Sequence, residues 1–67
     1  MKIQLNNRET LLENETMTVS ELLVAKNMTF RMRIVKINGE LIEKSSYDSA
    51  IIRDGDNVQV IYLMSGG

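Results

Sequence analysis

Only one stretch of this chain carries a helical period, and it opens on a recognisable start signal. Thr18 is followed three positions later by Glu21. In such a capping box each side chain satisfies an orphan amide of the first turn. Val19, Leu22 and Leu23 then fall at i, i+3 and i+4, one apolar stripe. The spacing predicts a single amphipathic helix of about ten residues over 18–27. Lys26 lies in its last turn, favourable against the helix dipole, and Asn27 is its stop. A lone helix in a 67-residue chain has to bury its stripe against strands, which makes a two-layer α+β arrangement the expectation.

The remaining segments alternate. Ile3 and Leu5 point one way and Lys2 and Gln4 the other, a half-buried strand over residues 2–6. Asn6-Asn7-Arg8 is turn chemistry, since Asn tolerates left-handed backbone. A weaker strand over 9–13 completes a hairpin. Residues 32–38 are rich in β-formers, Asn38-Gly39 marks a tight turn, and 41–43 is a short returning strand. Residues 45–49 read as a polar loop holding Tyr47. Asp54-Gly55 is a second turn, and 57–63 is the last strand. Val58, Val60 and Tyr62 share one face of it; Gln59, Ile61 and Leu63 share the other. A mixed sheet of four to five strands with one main helix on one face, a β-grasp, is the simplest fold with that content. One domain over residues 1–63 and a flexible tail over 64–67 are expected.

Composition narrows the chemistry. The chain has no cysteine and no histidine. Disulfides, thiol nucleophiles, Cys/His zinc sites and the commonest general base are therefore all missing. No metal and no bound cofactor are expected. The longest apolar run is far short of the roughly 20 residues of a membrane-spanning helix, and the first ten residues turn polar too soon for a secretory leader. A cytoplasmic protein without a membrane partner is the default. Net charge is −1. The one basic concentration, Arg31, Arg33 and Lys36, reads as a solvated strand face, because neither a basic field nor stacking aromatics accompany it; no nucleic-acid partner is expected.

The end of the chain is the informative feature. After Leu63 come Met64, Ser65, Gly66 and Gly67. Glycine lacks a Cβ, passes through narrow channels and accepts backbone angles closed to other residues. A glycine carboxylate on a slender tail suits acyl chemistry performed by another protein. Adenylation with ATP makes it a good acyl donor, and a sulfur nucleophile then displaces AMP to leave a thiocarboxylate. One hard step is thereby split into easier ones.

Four segments and a loop carry a resemblance. TVSELL at 18–23, INGELI at 37–42, RDGDNVQV at 53–60 and the final Gly66-Gly67, with KSSY at 44–47 ahead of the Asp54-Gly55 turn, occur in the order and spacing of the ThiS family of sulfur carriers. The resemblance implies the β-grasp fold shared with ubiquitin. It implies adenylation of Gly67 by an E1-like adenylyltransferase of the ThiF type and thiocarboxylate formation there, with sulfur coming from a donor protein. Delivery to a thiazole synthase of the ThiG type during thiamine biosynthesis would follow. On this reading the chain is not an enzyme but the substrate of one. Ser65 before the glycines is also frequent in MoaD, the related carrier for molybdopterin synthesis, although such chains are usually longer and often have prolines before the tail. A ubiquitin-like protein modifier would need the same tail, and a plain β-grasp interaction module would need none.

Several other side chains are candidates. If Val58 and Val60 face the helix, Ile61 and Leu63 point outward beside Ile34 of the neighbouring strand, and an exposed apolar patch next to the tail is a docking surface. Met64 is expected to join it. Met28 and Met32 read as gap-filling core or loop residues. Asp54 and Asp56 flank a turn and are expected to serve its backbone.

Overall fold

A computed structural model describes residues 1–29 and 32–63. Lys2–Leu5 (β1) and Arg8–Leu11 (β2) form the first hairpin. Its turn residues Asn6 and Asn7 both have positive φ, 51° and 67°, the pair of left-handed conformations that a two-residue turn matching strand twist requires. Thr16–Thr18 (β3) leads into the helix Val19–Ala25 (α1), and Arg33–Ile37 (β4) and Glu40–Ile42 (β5) form the second hairpin. A single 3₁₀ turn, Lys44–Ser46, precedes Ile51–Arg53 (β6), and Asn57–Tyr62 (β7) follows.

The main sheet has five strands in the order β2-β1-β7-β4-β5. β1 and β7 lie parallel at its centre through Gln4↔Asn57 and Leu5↔Val58, and β7 runs antiparallel to β4 from Ile37↔Val58 to Arg33↔Tyr62. β3 and β6 form a separate two-stranded sheet, with Met17 opposite Ile52. Neither of these three-residue strands is expected from periodicity, because three residues are too few to display an alternation. Their role is to close the open side of the core: Met17 and Ile52 are both buried.

The helix is shorter than the spacing predicts, seven residues rather than about ten. Its start is as expected. Thr18 Oγ1 accepts from the Glu21 amide at 3.1 Å, and Glu21 Oε1 accepts from the Thr18 amide at 2.8 Å. Its end comes early, since Lys26 is already the C-terminal cap and Asn27 adopts φ 54°. Lys26 therefore lies one step beyond the last turn in which the charge pattern placed it.

The core is one cluster. Val19, Leu22 and Leu23 of α1 meet Ile3, Leu5, Val35, Val58 and Val60 of the sheet, with Met17, Ile52 and Tyr47 around them. Met28 packs against this cluster. Met32 is instead an exposed residue of the connection into β4, so the two methionines divide between the core and loop roles read for them. Arg33 and Lys36 do not share a face either. Arg33 follows the parity of buried Val35 and lies over the Tyr47 ring, 5.2 Å from its centroid, and Arg31 falls outside the described residues.

Polar turns tie the strands at the end of the sheet where β7 starts. Asp56 accepts from the Arg53 amide at 2.9 Å and from Asn38 Nδ2 at 3.0 Å, while Asn38 Oδ1 accepts from the Asn57 amide at 2.9 Å. Asp54 accepts from the Lys2 amide at 2.7 Å. Both carboxylates serve backbone and turn, as expected. Replacing Asp56 with Ala leaves the Arg53 amide and the Asn38 amide group without that partner, and should cost about 1–3 kcal/mol, read as a lower midpoint in urea denaturation. Glu43→Ala, at an exposed site before the 3₁₀ turn, should move it by less than about 0.5 kcal/mol.

Candidate functional site

The site is built on the face of the sheet that α1 leaves uncovered. Along β7 the side chains alternate, Val58 and Val60 inward and buried, Ile61 outward and 42% exposed. Ile34 lies directly opposite Ile61 in the β4–β7 register. Leu63, 43% exposed, extends the line, and its amide donates to the Met32 carbonyl at 3.0 Å, so the pairing continues one step past the strand. The structure thus brings together Ile34, Ile61 and Leu63. Tyr62 shares the inward parity of Val58 and Val60, as read from the sequence, yet it lies beyond the reach of the helix and stays 48% exposed. Met64, Ser65, Gly66 and Gly67 lie outside the described residues.

Two further apolar side chains join the patch and escaped the sequence reading. Leu41 is exposed on β5 and pairs with Lys36, which in turn pairs with Gln59. These three therefore form the row next to Ile34 and Ile61. The signal for it was present: Asn38 and Gly39 have φ 51° and 83°, a two-residue turn that pairs Ile37 with Glu40 and hence Lys36 with Leu41. Met32 lies at the other end, hydrogen-bonded through its carbonyl to Leu63. The patch is apolar with one cation, Lys36, at its margin.

Beyond this face the molecule has little to work with. Among the described residues, no group of three or more His, Cys, Asp or Glu side chains is placed to hold a metal ion, and no helix is long and apolar enough to cross a membrane. A shallow depression on the helix layer is lined by Met17, Ser20, Glu21, Val24 and Ala25. Its polar groups are engaged, Glu21 in the helix cap and Ser20 as a donor to the Asp48 carboxylate.

Comparison with known proteins decides the family. The model of the ThiS family matches residues 2–67. The chain belongs to the ThiS family. It is 28% identical over 65 residues to the sulfur carrier protein ThiS of Bacillus subtilis (strain 168), covering 97% of this chain and 98% of that one. A crystal structure of the thiamine biosynthesis protein ThiS from Geobacter metallireducens superposes over the whole of both chains with a TM-score of 0.90 at 32% identity. A solution structure of a thiamine biosynthesis protein from the same organism gives a TM-score of 0.78 at 31% identity, covering all of this chain and 88% of that one. A thiazole synthase of Paramagnetospirillum magneticum (strain ATCC 700264 / AMB-1) is 33% identical over all 67 residues, which make up 20% of its own length. The ThiS β-grasp fold read from the four sequence segments is the fold observed.

The parity of β7 has a direct check. Ile61→Ser, on the open face, should change stability by less than about 1 kcal/mol. Val60→Ser, in the core, should cost about 2–4 kcal/mol through lost burial and a desolvated hydroxyl. Equal losses in chemical denaturation would mean the strand is registered one residue away.

Proposed function

We propose that this ThiS-family chain is a sulfur carrier of thiamine biosynthesis whose working group is the carboxylate of Gly67. Residues 1–63 are the body that partners grip, and 64–67 are the tail they act on. The single observation that carries this reading is the family match across residues 2–67. The outward row of Ile34, Ile61 and Leu63, which leads straight into Met64, supports it, because a patch at the root of a reactive tail lets one docking event also position the tail.

The chemistry balances without any catalytic group on the carrier. The Gly67 carboxylate attacks the α-phosphorus of ATP, and pyrophosphate leaves. A sulfur supplied at the level of hydrosulfide attacks the acyl carbon, and AMP departs with one of the former carboxylate oxygens. The product is a thiocarboxylate at Gly67. The first step falls to an E1-like adenylyltransferase of the ThiF type, the sulfur comes from a donor protein, and the acceptor is a thiazole synthase of the ThiG type. Ser65 and Gly66 keep the approach to Gly67 narrow, since neither side chain extends beyond a hydroxymethyl group. Met64, Leu63, Ile61 and Ile34 form the surface by which both enzymes hold the carrier.

Intact-mass measurement tests this. Incubated with the ThiF-type enzyme, ATP and a sulfur donor, the protein should gain the mass difference of one sulfur for one oxygen, located at Gly67 by fragmentation. Deleting Gly66 and Gly67 should abolish the gain with folding untouched. Absence of the product with an enzyme active on its own carrier would refute the proposal.

A further inference from the structure

We propose that Lys36 supplies the charged contact of the docking face and that its counterpart is a carboxylate on thiazole synthase, an assignment that rests on the carrier reading above. Lys36 is two residues from Ile34 on β4 and points to the same side of the sheet. Its cross-strand neighbours are Leu41 on β5 and Gln59 on β7, and Ile61 is its diagonal neighbour. None is acidic. Glu40 pairs with Ile37 and so has the opposite parity. The ion pair formed on the described residues, Lys2–Glu9 at 3.8 Å, lies toward the other edge of the sheet, on β1 and β2. Lys36 is half-buried, in register between Leu41 and Gln59.

A cation in that position discriminates between partners. Covering the patch strips water from the Lys36 ammonium, and this is unfavourable unless the partner brings an acid to meet it. The surface that fits is therefore an apolar recess with a carboxylate at its rim. Among enzyme partners, the synthase is favoured by the relative in which a counterpart of this whole chain is a fifth of a single thiazole synthase polypeptide. Covalent linkage there holds the two at high effective concentration.

The test uses the full chain and the thiazole synthase of the same cell, with binding followed by calorimetry. Lys36→Glu should bind at least about tenfold more weakly, and Lys36→Gln should fall between. Raising ionic strength from about 0.1 M to about 1 M shortens the Debye length from about 10 Å to about 3 Å. It should weaken binding of the unmodified chain, barely affect Lys36→Gln, and strengthen Lys36→Glu, whose repulsion by the partner carboxylate is then screened. Urea denaturation midpoints close to that of the unmodified chain prove both variants folded. Equal affinity and equal salt dependence across the three proteins would overturn the proposal. So would variants that bind the synthase normally yet fail to be adenylated, since the acid would then belong to the activating enzyme. If the unmodified chain forms no thiocarboxylate, the carrier reading itself fails, a result independent of position 36.

Discussion

The alternation of side chains along β7 is the constraint from which the rest of the structure follows. Val58 and Val60 point into the core and are nearly inaccessible, which holds the strand against α1. Because the period is two, that same burial forces Ile61 and Leu63 onto the uncovered face. The inward requirement is worth several kilocalories per mole for buried aliphatic side chains, so the outward display is enforced by folding itself. The strand that anchors the core and the strand that leads into the tail are one.

The polar turns make that display rigid. β1 pairs with β7 only through Gln4↔Asn57 and Leu5↔Val58, and two registered pairs are a weak hold on a central strand. Asn6 extends it. Its amide donates to the Val58 carbonyl at 2.9 Å and its side-chain Oδ1 accepts from the Val60 amide at 2.8 Å, so the turn residue continues the ladder after the strand has bent away. Asn38 does the same from the other side through Asn57 and Asp56. Both residues have positive φ, a conformation that Asn tolerates better than most, and both use the side chain as a substitute backbone. Two asparagines thus clamp the start of β7 from opposite flanks.

What could be read in the sequence was whatever carries a period or a fixed chemical signature. The Thr18–Glu21 box, the Asn6-Asn7 and Asn38-Gly39 turns and the β7 alternation all emerge from local physics, and each is present. The short strands β3 and β6 could not be read. Three residues hold no alternation, and their pairing, Met17 against Ile52, is a contact between distant segments. The helix was overextended for a related reason. The apolar stripe and Asn27 set outer bounds, whereas the last turn depends on where the chain has to leave to reach β4. At the site, Ile34, Ile61 and Leu63 followed from parity alone. Leu41 and Lys36 required the β4–β5 register, which the Asn38-Gly39 turn encodes. The pairing of Arg33 with Tyr47 had no local signal at all.

An apolar face left open to water invites self-association, and this one is managed rather than avoided. The centre of the patch is on β7 and β4, both hydrogen-bonded on either side, and only Leu41 belongs to an edge strand, the three-residue β5, too short to be a strong template. Its aliphatic side chains are interrupted by Gln59 and Lys36 in the adjoining row. The interruption costs little in the free protein, where the ammonium stays hydrated above its aliphatic stem. In a complex it becomes selective, since only a partner with the matching charge recovers what dehydration takes away. One side chain placed beside an otherwise apolar row, Lys36, thus bears both on self-association and on the proposed choice of partner.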